Sequence, residues 1–239
     1  MRGITSFPRR DERGITGLET AIILIAFVVV ASVFAYTVLT AGIYSSQKSN
    51  EAVNAAIEEV RSSIIPSGNV YGFEGSVDLD GDTATSDVQA AVVKVGLELA
   101  VALRGTPVDL TPPYLIAANG SLQSSGLENS LVIDYLSHTH VLNEVAWTVR
   151  FAGSSDGDYS LEQTERAEVT VWLVRYEYDD VAGLYYTLGA GTGDPFADET
   201  DALLTKSESF TLEVSPVQGA PLQVERVVPQ ALAPIMNLR

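Results

Sequence analysis

The 24 residues from 21 to 44 contain no charged side chain, and this run constrains the fold more than any other feature of the sequence. It opens with the segment Ala-Ile-Ile-Leu-Ile-Ala-Phe-Val-Val-Val-Ala. A helix needs about 20 predominantly apolar residues to cross a bilayer. Arg9, Arg10 and Arg13 precede the run, and basic flanks tend to stay in the cytoplasm. The rest of the chain is therefore predicted to lie outside the cell, and the precursor in the cytoplasmic membrane.

The position of a leader cleavage site follows from the residues before the apolar run. An ordinary secretory signal is cleaved after its apolar stretch, at a small-residue motif, and no such motif is clear here. The sharp backbone breaker near the junction is Gly14, which lies before the run. Cleavage after Gly14 would start the mature chain at Ile15 and would keep the hydrophobic helix.

Beyond the apolar run the pattern becomes that of an amphipathic helix, with apolar residues at the helical positions Val53, Ile57, Val60 and Ile64. Pro66 and Gly68 are expected to end it. The sequence thus predicts a leader peptide over 1–14 and a helix over 15–65, apolar to residue 44 and amphipathic from 45. A lone helix that spans roughly 75 Å, at 1.5 Å per residue, needs partners.

The charge of the chain excludes one class of partner. It has 31 acidic and 14 basic residues, a net charge of -17, so a phosphate backbone would be repelled and nucleic acid is not an expected partner. An acidic surface fits a soluble exterior or life in salty water, and the sequence does not separate the two. With no cysteine, disulfides and thiolate metal sites are excluded.

Residues 9 to 44 resemble the class III signal of archaellins and type IV pilins. In that family a prepilin-peptidase-type aspartic protease cleaves after a Gly that follows basic residues, which maps onto Gly14. Glu19 then becomes the fifth mature residue, and the resemblance implies that its carboxylate meets the terminal amine of a neighbouring subunit during assembly. The alternative is an acidic residue favoured near a helix N-terminus by the macrodipole.

Residues 66–239 show short alternating runs separated by Gly, Asp, Asn, Pro and Ser, the pattern of an all-β sandwich. The overall prediction is α+β: a long N-terminal hydrophobic helix followed by a surface-exposed, immunoglobulin-like sandwich. In the run from 167 to 176, Val169 and Val171 share one face, and we expect the face that carries Trp172 to be available to another subunit. The predicted strands are Val88–Leu103, Leu131–Leu136, Ala146–Phe151, Ala167–Tyr176, Ser209–Val214 and Gln223–Val228.

The resemblance to archaellins continues in the second half of the chain. Trp-Thr-Val-Arg-Phe at 147–151, the Asp-Tyr-Ser-Leu-Glu linker at 158–162 and the hairpin and tail from 210 to 238 are similar to family segments. The resemblance implies a structural subunit, not an enzyme, that polymerises with itself into an extracellular archaellum filament for swimming, assembled by a motor and membrane platform. The alternatives are an adhesive type IV-like pilus subunit and a membrane-anchored binding domain. The Gly-rich 183–200 segment matches no pattern and is expected to be surface variation.

Asp78, Asp80 and Asp82 alternate as in a calcium-binding loop, but an EF-hand would need Gly at Thr83 and Glu at Gln89. A looser Ca²⁺ site and a plain Asp/Gly turn both remain open. His138 and His140 would share one face of a strand, yet further ligands at metal-site spacing are missing.

Asn119 heads the sole Asn-x-Ser/Thr sequence with a permitted middle residue, Asn-Gly-Ser. On an exported surface loop it is a candidate N-glycosylation site. No nucleophile elbow, phosphate-binding loop or nucleotide fingerprint occurs, so the sequence predicts no catalysis and no cofactor beyond a candidate Ca²⁺.

Overall fold

The computed structural model describes the backbone of residues 13–61, 63–81, 83, 87–102, 107–153, 155–191 and 193–238, with side chains described from 17 to 57 in the helix and from 63 onward. The chain forms two units, Met1–Ala55 and Ala56–Arg239. The first is helical and the second is built mainly of strands, which confirms the predicted α+β class.

Helix α1 runs over Arg13–Arg61, 49 residues, or about 74 Å at 1.5 Å per residue. The predicted helix continued to Ile64, but Ile64 opens a strand, is 4% exposed and pairs with Val101. Two causes favour the strand: Ile64 and Ile65 are β-branched, and the residue before Pro66 is disfavoured in a helix.

The second unit contains sixteen strands among the described residues. They are β1 (Ile64–Pro66), β2 (Val70–Asp78), β3 (Val88–Val101), β4 (Val108–Asp109), β5 (Tyr114–Ile116), β6 (Leu122–Ser124), β7 (Leu131–Ser137), β8 (Val141–Leu142), β9 (Trp147–Gly153), β10 (Ser160–Leu161), β11 (Glu165–Trp172), β12 (Arg175–Asp179), β13 (Gly183–Thr187), β14 (Ser209–Pro216), β15 (Leu222–Val227) and β16 (Ile235–Leu238). A 3-10 helix covers Thr200–Ala202.

Two sheets form the sandwich. The large sheet has eight strands, in the order β12-β13-β2-β3-β11-β9, with β1 added beside β3 and β16 beside β2. The small sheet has the order β15-β14-β7-β8. Pairing in the described residues is antiparallel except between β13 and β2. Two short pairs, β10-β4 and β5-β6, complete the strands.

The main core lies between the two sheets and draws on the inward residues of both. Leu97 and Val169 are register partners in the large sheet, while Leu212 and Tyr135 are partners in the small sheet; each is at most 2% exposed. The Tyr135 and Phe210 rings stack with centroids 5.9 Å apart. The predicted core face of the run from 167 to 176, which carries Val169 and Val171, is therefore confirmed, because both side chains are 0% exposed.

The part of the outer face of the large sheet around Trp172 is also covered, which contradicts two expectations. Phe196 is 4% exposed and packs with Ala146 and Trp172, so the 183–200 segment is not surface variation: it contains β13 and a buried anchor. Trp172 is likewise 4% exposed, so its ring is not available to another subunit, although Glu168 on the same face remains about half exposed. Its ring stacks on Tyr176 at 5.4 Å, and its indole N–H donates to Thr148 Oγ1 at 3.1 Å.

The predicted strand from 167 to 176 is divided in the structure. β11 ends at Trp172, and β12 begins at Arg175 and pairs with a different strand, β13. The break lies where β3 bulges, since its register against β2 shifts between Phe73 and Glu74. A bulge bends its strand and disrupts the local ladder, and the chain after β11 leaves β3 and pairs instead with β13 at the edge of the same sheet.

Candidate assembly surface and surface sites

The described side chains of α1, residues 17–57, are exposed and are predominantly apolar up to residue 44. Eighteen large apolar side chains between Leu18 and Ile57 are exposed, from 43% for Ile57 to 74% for Phe27. The segment Gly17–Ile57 is long and apolar enough to cross a membrane, with a mean hydropathy of 2.8 in its most apolar window. A helix that is hydrophobic all round requires lipid or other helices around it.

Four hydroxyl groups of α1 donate hydrogen bonds to carbonyl groups of the same helix. Thr20 Oγ1 donates to the Gly17 carbonyl at 3.0 Å, and Ser32 Oγ donates to the Val28 carbonyl at 2.6 Å. Thr40 Oγ1 bonds the Tyr36 carbonyl at 2.8 Å in the same way. An unpaired polar group is costly in an apolar surrounding. Because these hydroxyl groups already have partners within the helix, they remain hydrogen-bonded when the helix is surrounded by lipid or by other helices.

Glu19 is a charged residue in the otherwise uncharged stretch of α1 that follows Arg13. It is the sole charged residue between Arg13 and Lys48, and it is exposed. Gly14 and Ile15 belong to the first turn of α1. An ionised carboxylate surrounded by packed apolar helices requires a compensating charge.

The acidic loop after β2 brings together a different trio from the predicted one. Carboxylate oxygens of Asp78, Asp80 and Asp87 lie within 4.8 Å of one another, whereas Asp82 lies outside the described residues. Asp87 reaches the site because the β2–β3 register pairs Asp78 with Val88. Asp87 could not be predicted from the spacing of the acidic residues alone. A predicted pairing of β2 with β3 at these strand ends would have placed it near Asp78.

Asp78 is the structural centre of that loop. It is 4% exposed, and its carboxylate accepts backbone N–H bonds from Gly81 at 2.9 Å and Thr83 at 2.8 Å. Burial raises the pKa of Asp78, but these hydrogen bonds and one from Asp80 outweigh it, so the pKa is lowered overall. The carboxylate is therefore ionised at neutral pH and available to attract a cation.

Asn119 lies in the tight turn between β5 and β6 and is exposed. Its Oδ1 accepts hydrogen bonds from Ser121 N at 3.1 Å and Ser121 Oγ at 2.8 Å. Gly120 permits the turn, since its φ is +92° and a Cβ there would lie 2.9 Å from Leu184. The three residues of the candidate sequon thus form one compact, accessible loop.

The two histidines do not share a strand face, as their spacing had suggested. Both follow the end of β7 in the turn that leads to β8. His138 is exposed, whereas the His140 side chain is 24% exposed.

Comparison with known proteins identifies the family to which this fold belongs. A family model described as archaeal-type flagellin matches residues 14–226. The chain is 31% identical over 233 residues to probable flagellin 1 of Archaeoglobus fulgidus, covering 96% of each chain. The chain belongs to the archaeal-type flagellin family. A second relative, probable flagellin 1 of Aeropyrum pernix, is 31% identical over 226 residues, with 93% of this chain and 95% of that protein covered.

This archaellin also has the fold of a solved filament protein. The structure of the archaeal flagellum of Methanospirillum hungatei strain JF1 covers 93% of this chain and 98% of its own, with a TM-score of 0.50 and 22% identity. The predicted family is confirmed. The chain is a structural subunit that polymerises with itself into an extracellular archaellum filament, and the adhesive pilus and anchored-ectodomain alternatives are not favoured.

Proposed function

We propose that the subunit is first held in the cytoplasmic membrane by α1, is cleaved between Gly14 and Ile15 by a prepilin-peptidase-type signal peptidase, and then enters the filament. The observation that carries this proposal is the exposed, predominantly apolar surface of α1, none of which is buried within the chain over its most apolar window. The start of the family match at residue 14 supports the same junction. Membrane platform and motor proteins assemble the filament and turn it for swimming.

In the filament, α1 packs against copies of itself in a shared core and the β unit faces outward. Extraction from lipid gives little hydrophobic energy, so close packing through small residues must contribute. Gly17 and Gly42 suit this role, because a Cβ at either position would meet nothing within 4 Å in the free chain. A heterologous contact that repeats without closing a ring produces an open helical polymer.

The processing step is tested by N-terminal sequencing of the subunit in filaments sheared from the cell surface. We expect the mature chain to begin at Ile15, and we expect Gly14→Val to leave uncleaved precursor in the membrane and no filaments. Gly3→Val is the matched control, because it adds the same side chain within the leader but away from the cleavage junction. Recovery of filaments whose subunits retain residues before Gly14 would rule the proposal out.

The acidic loop is proposed as a Ca²⁺ site in which Asp78 and Asp80 act with Asp87, since clustered carboxylates suit a hard cation. We expect chelation to lower the melting temperature of filaments and excess Ca²⁺ to restore it. Asp80→Asn should remove most of this response, because one ligand charge is lost. Asp180→Asn, at an acidic position outside the loop, is the control. An unchanged melting temperature on chelation leaves the loop as a plain turn.

Asn119 is proposed to carry an N-linked glycan, because its side chain is exposed in the compact Asn-Gly-Ser turn. We expect the intact mass of the filament subunit to exceed the mass of the mature chain, and Asn119→Gln to abolish the excess. Asn129→Gln, outside any sequon, should leave it unchanged. A wild-type mass equal to that of the unmodified chain contradicts this assignment.

A further inference from the structure

Three metal-ligating side chains converge away from the acidic loop. His140 lies in the turn after β7, and Glu199 and Asp201 lie at the 3-10 helix some 60 residues later in the chain. One ligand atom from each lies within 4.8 Å of the others. In the sequence, no further ligand lies at metal-site spacing from His140. In the fold, Glu199 and Asp201 lie next to it.

The distance between His140 and Asp201 is that of two ligands of one cation. His140 Nε2 and Asp201 Oδ1 are 3.6 Å apart, which is too long for a hydrogen bond between nitrogen and oxygen. Two atoms that each bind a tetrahedral Zn²⁺ at about 2.1 Å are separated by roughly 3.4 Å. The observed separation is close to this value, so both atoms can bind one cation with little movement.

The orientation of the imidazole ring supports this geometry. His140 Nδ1 is buried and has no hydrogen-bond partner among the described residues. The ring therefore presents Nε2, its other nitrogen, to the carboxylates. An imidazole nitrogen is the commonest metal ligand in proteins, and here Nε2 lies beside a carboxylate that can share the same ion.

The charges of the cluster favour the same conclusion. Glu199 and Asp201 place two carboxylates close together on a chain whose net charge is already -17, and like charges at this distance repel. A divalent cation neutralises both. One imidazole with two carboxylates is a ligand set suited to zinc rather than calcium, and a water fills the fourth position.

We propose that His140, Glu199 and Asp201 form a zinc-class metal site that ties the two sheets of the sandwich together. His140 extends from β7 of the small sheet. The 3-10 helix leads into Leu204, whose carbonyl accepts a hydrogen bond from Val92 N of the large sheet at 2.8 Å. Thr139 Oγ1 donates a hydrogen bond to the Asp201 carbonyl at 3.2 Å. The two segments are therefore already in contact without a cation.

The proposed metal site joins segments that lie on opposite sides of the sandwich. Ala202 and Leu203 are buried against the outer face of the large sheet, while the β7–β8 turn belongs to the opposite sheet. A cation that joins them resists sliding of one sheet over the other. This site is independent of leader cleavage, of the glycan and of the acidic loop.

The test is Zn²⁺ titration of purified, chelator-stripped filaments by calorimetry, in the presence of excess Ca²⁺ to occupy hard carboxylate sites. We expect saturable binding of one Zn²⁺ per subunit and a rise in melting temperature. His140→Ala should weaken binding by at least about tenfold, since one of three protein ligands is lost. His138→Ala removes an exposed imidazole two residues away and should retain both the binding and the thermal shift.

A second ligand variant separates a lost site from a damaged fold. Asp201→Asn should weaken Zn²⁺ binding as His140→Ala does, while the melting temperature of each metal-free variant stays close to that of the metal-free wild type. The proposal is overturned if the wild type binds no Zn²⁺ saturably, if His138→Ala weakens binding as much as His140→Ala, or if neither variant changes it.

Discussion

Replacing Glu19 by Gln is expected to abolish filament assembly while leaving the precursor in the membrane and its leader correctly removed. The substitution keeps the size of the side chain and removes the sole charge between Arg13 and Lys48. We expect Glu19 to meet the amine of Ile15 on a neighbouring subunit in the packed apolar bundle, as the family resemblance implies, so the substitution would leave that amine without its partner. Breaking a buried ion pair in this way costs about 3–5 kcal/mol. Every subunit repeats the loss, so the concentration needed for polymerisation rises roughly a hundred- to several-thousand-fold.

The measurement is the yield of sheared filaments by electron microscopy, with the membrane fraction probed for mature subunit. Glu51→Gln is the matched control, because Glu51 lies on the same helix and is 71% exposed in an ion pair with Lys48. An exposed pair of this kind contributes about 1 kcal/mol or less, so filaments should form normally. Normal filaments from Glu19→Gln would show that Glu19 is only a favourable helix N-terminal residue.

Much of the fold could be predicted from the sequence, because the patterns that indicate its elements are local. The uncharged run from 21 to 44 predicts a helix by composition alone, and alternation around Val169 and Val171 predicts both a strand and its core face. The end of α1 was harder to place, since Ile64 continues the helical spacing. Its side chain nevertheless enters the sandwich core, where it is 4% exposed. Tertiary packing therefore overrode a local periodicity.

The cluster of Ala146, Trp172 and Phe196 on the outer face of the large sheet was not predicted, because few apolar residues form it. Phe196 stands among Gly, Thr, Asp and Pro, a composition typical of an exposed loop. Its burial depends on the neighbouring Tyr114 ring, 5.7 Å away in an edge-on contact, and on Trp172. No linear pattern links these three residues.

The candidate sites show the same limit. Sequence spacing found Asp78 and Asp80 but not Asp87, which the β2–β3 register brings to them. It found His140 but neither Glu199 nor Asp201, because a contact across some 60 residues has no spacing rule. Strand register and loop packing decide which charges meet, and both follow from the whole fold.

Truncating Leu212 to Ala is expected to destabilise the β unit by about 2–5 kcal/mol. Leu212 is 0% exposed at the centre of the small sheet, where β14 pairs with β7 on one side and β15 on the other. The change removes contacts with the main core and leaves a cavity that close-packed neighbours fill only in part. For a unit of this size the loss corresponds to a fall in melting temperature on the order of 4–20 °C.

Calorimetry of sheared filaments measures this effect, and Leu127→Ala is its matched control. Leu127 is 50% exposed, so the same truncation there removes little packing and should change the free energy of unfolding by less than about 0.5 kcal/mol. If both variants melt together with the wild type, the space between the two sheets is not the core that stabilises the unit. A large loss for Leu212→Ala alone assigns that stability to the sandwich interior, because buried and exposed leucines differ here in their surroundings and not in their chemistry.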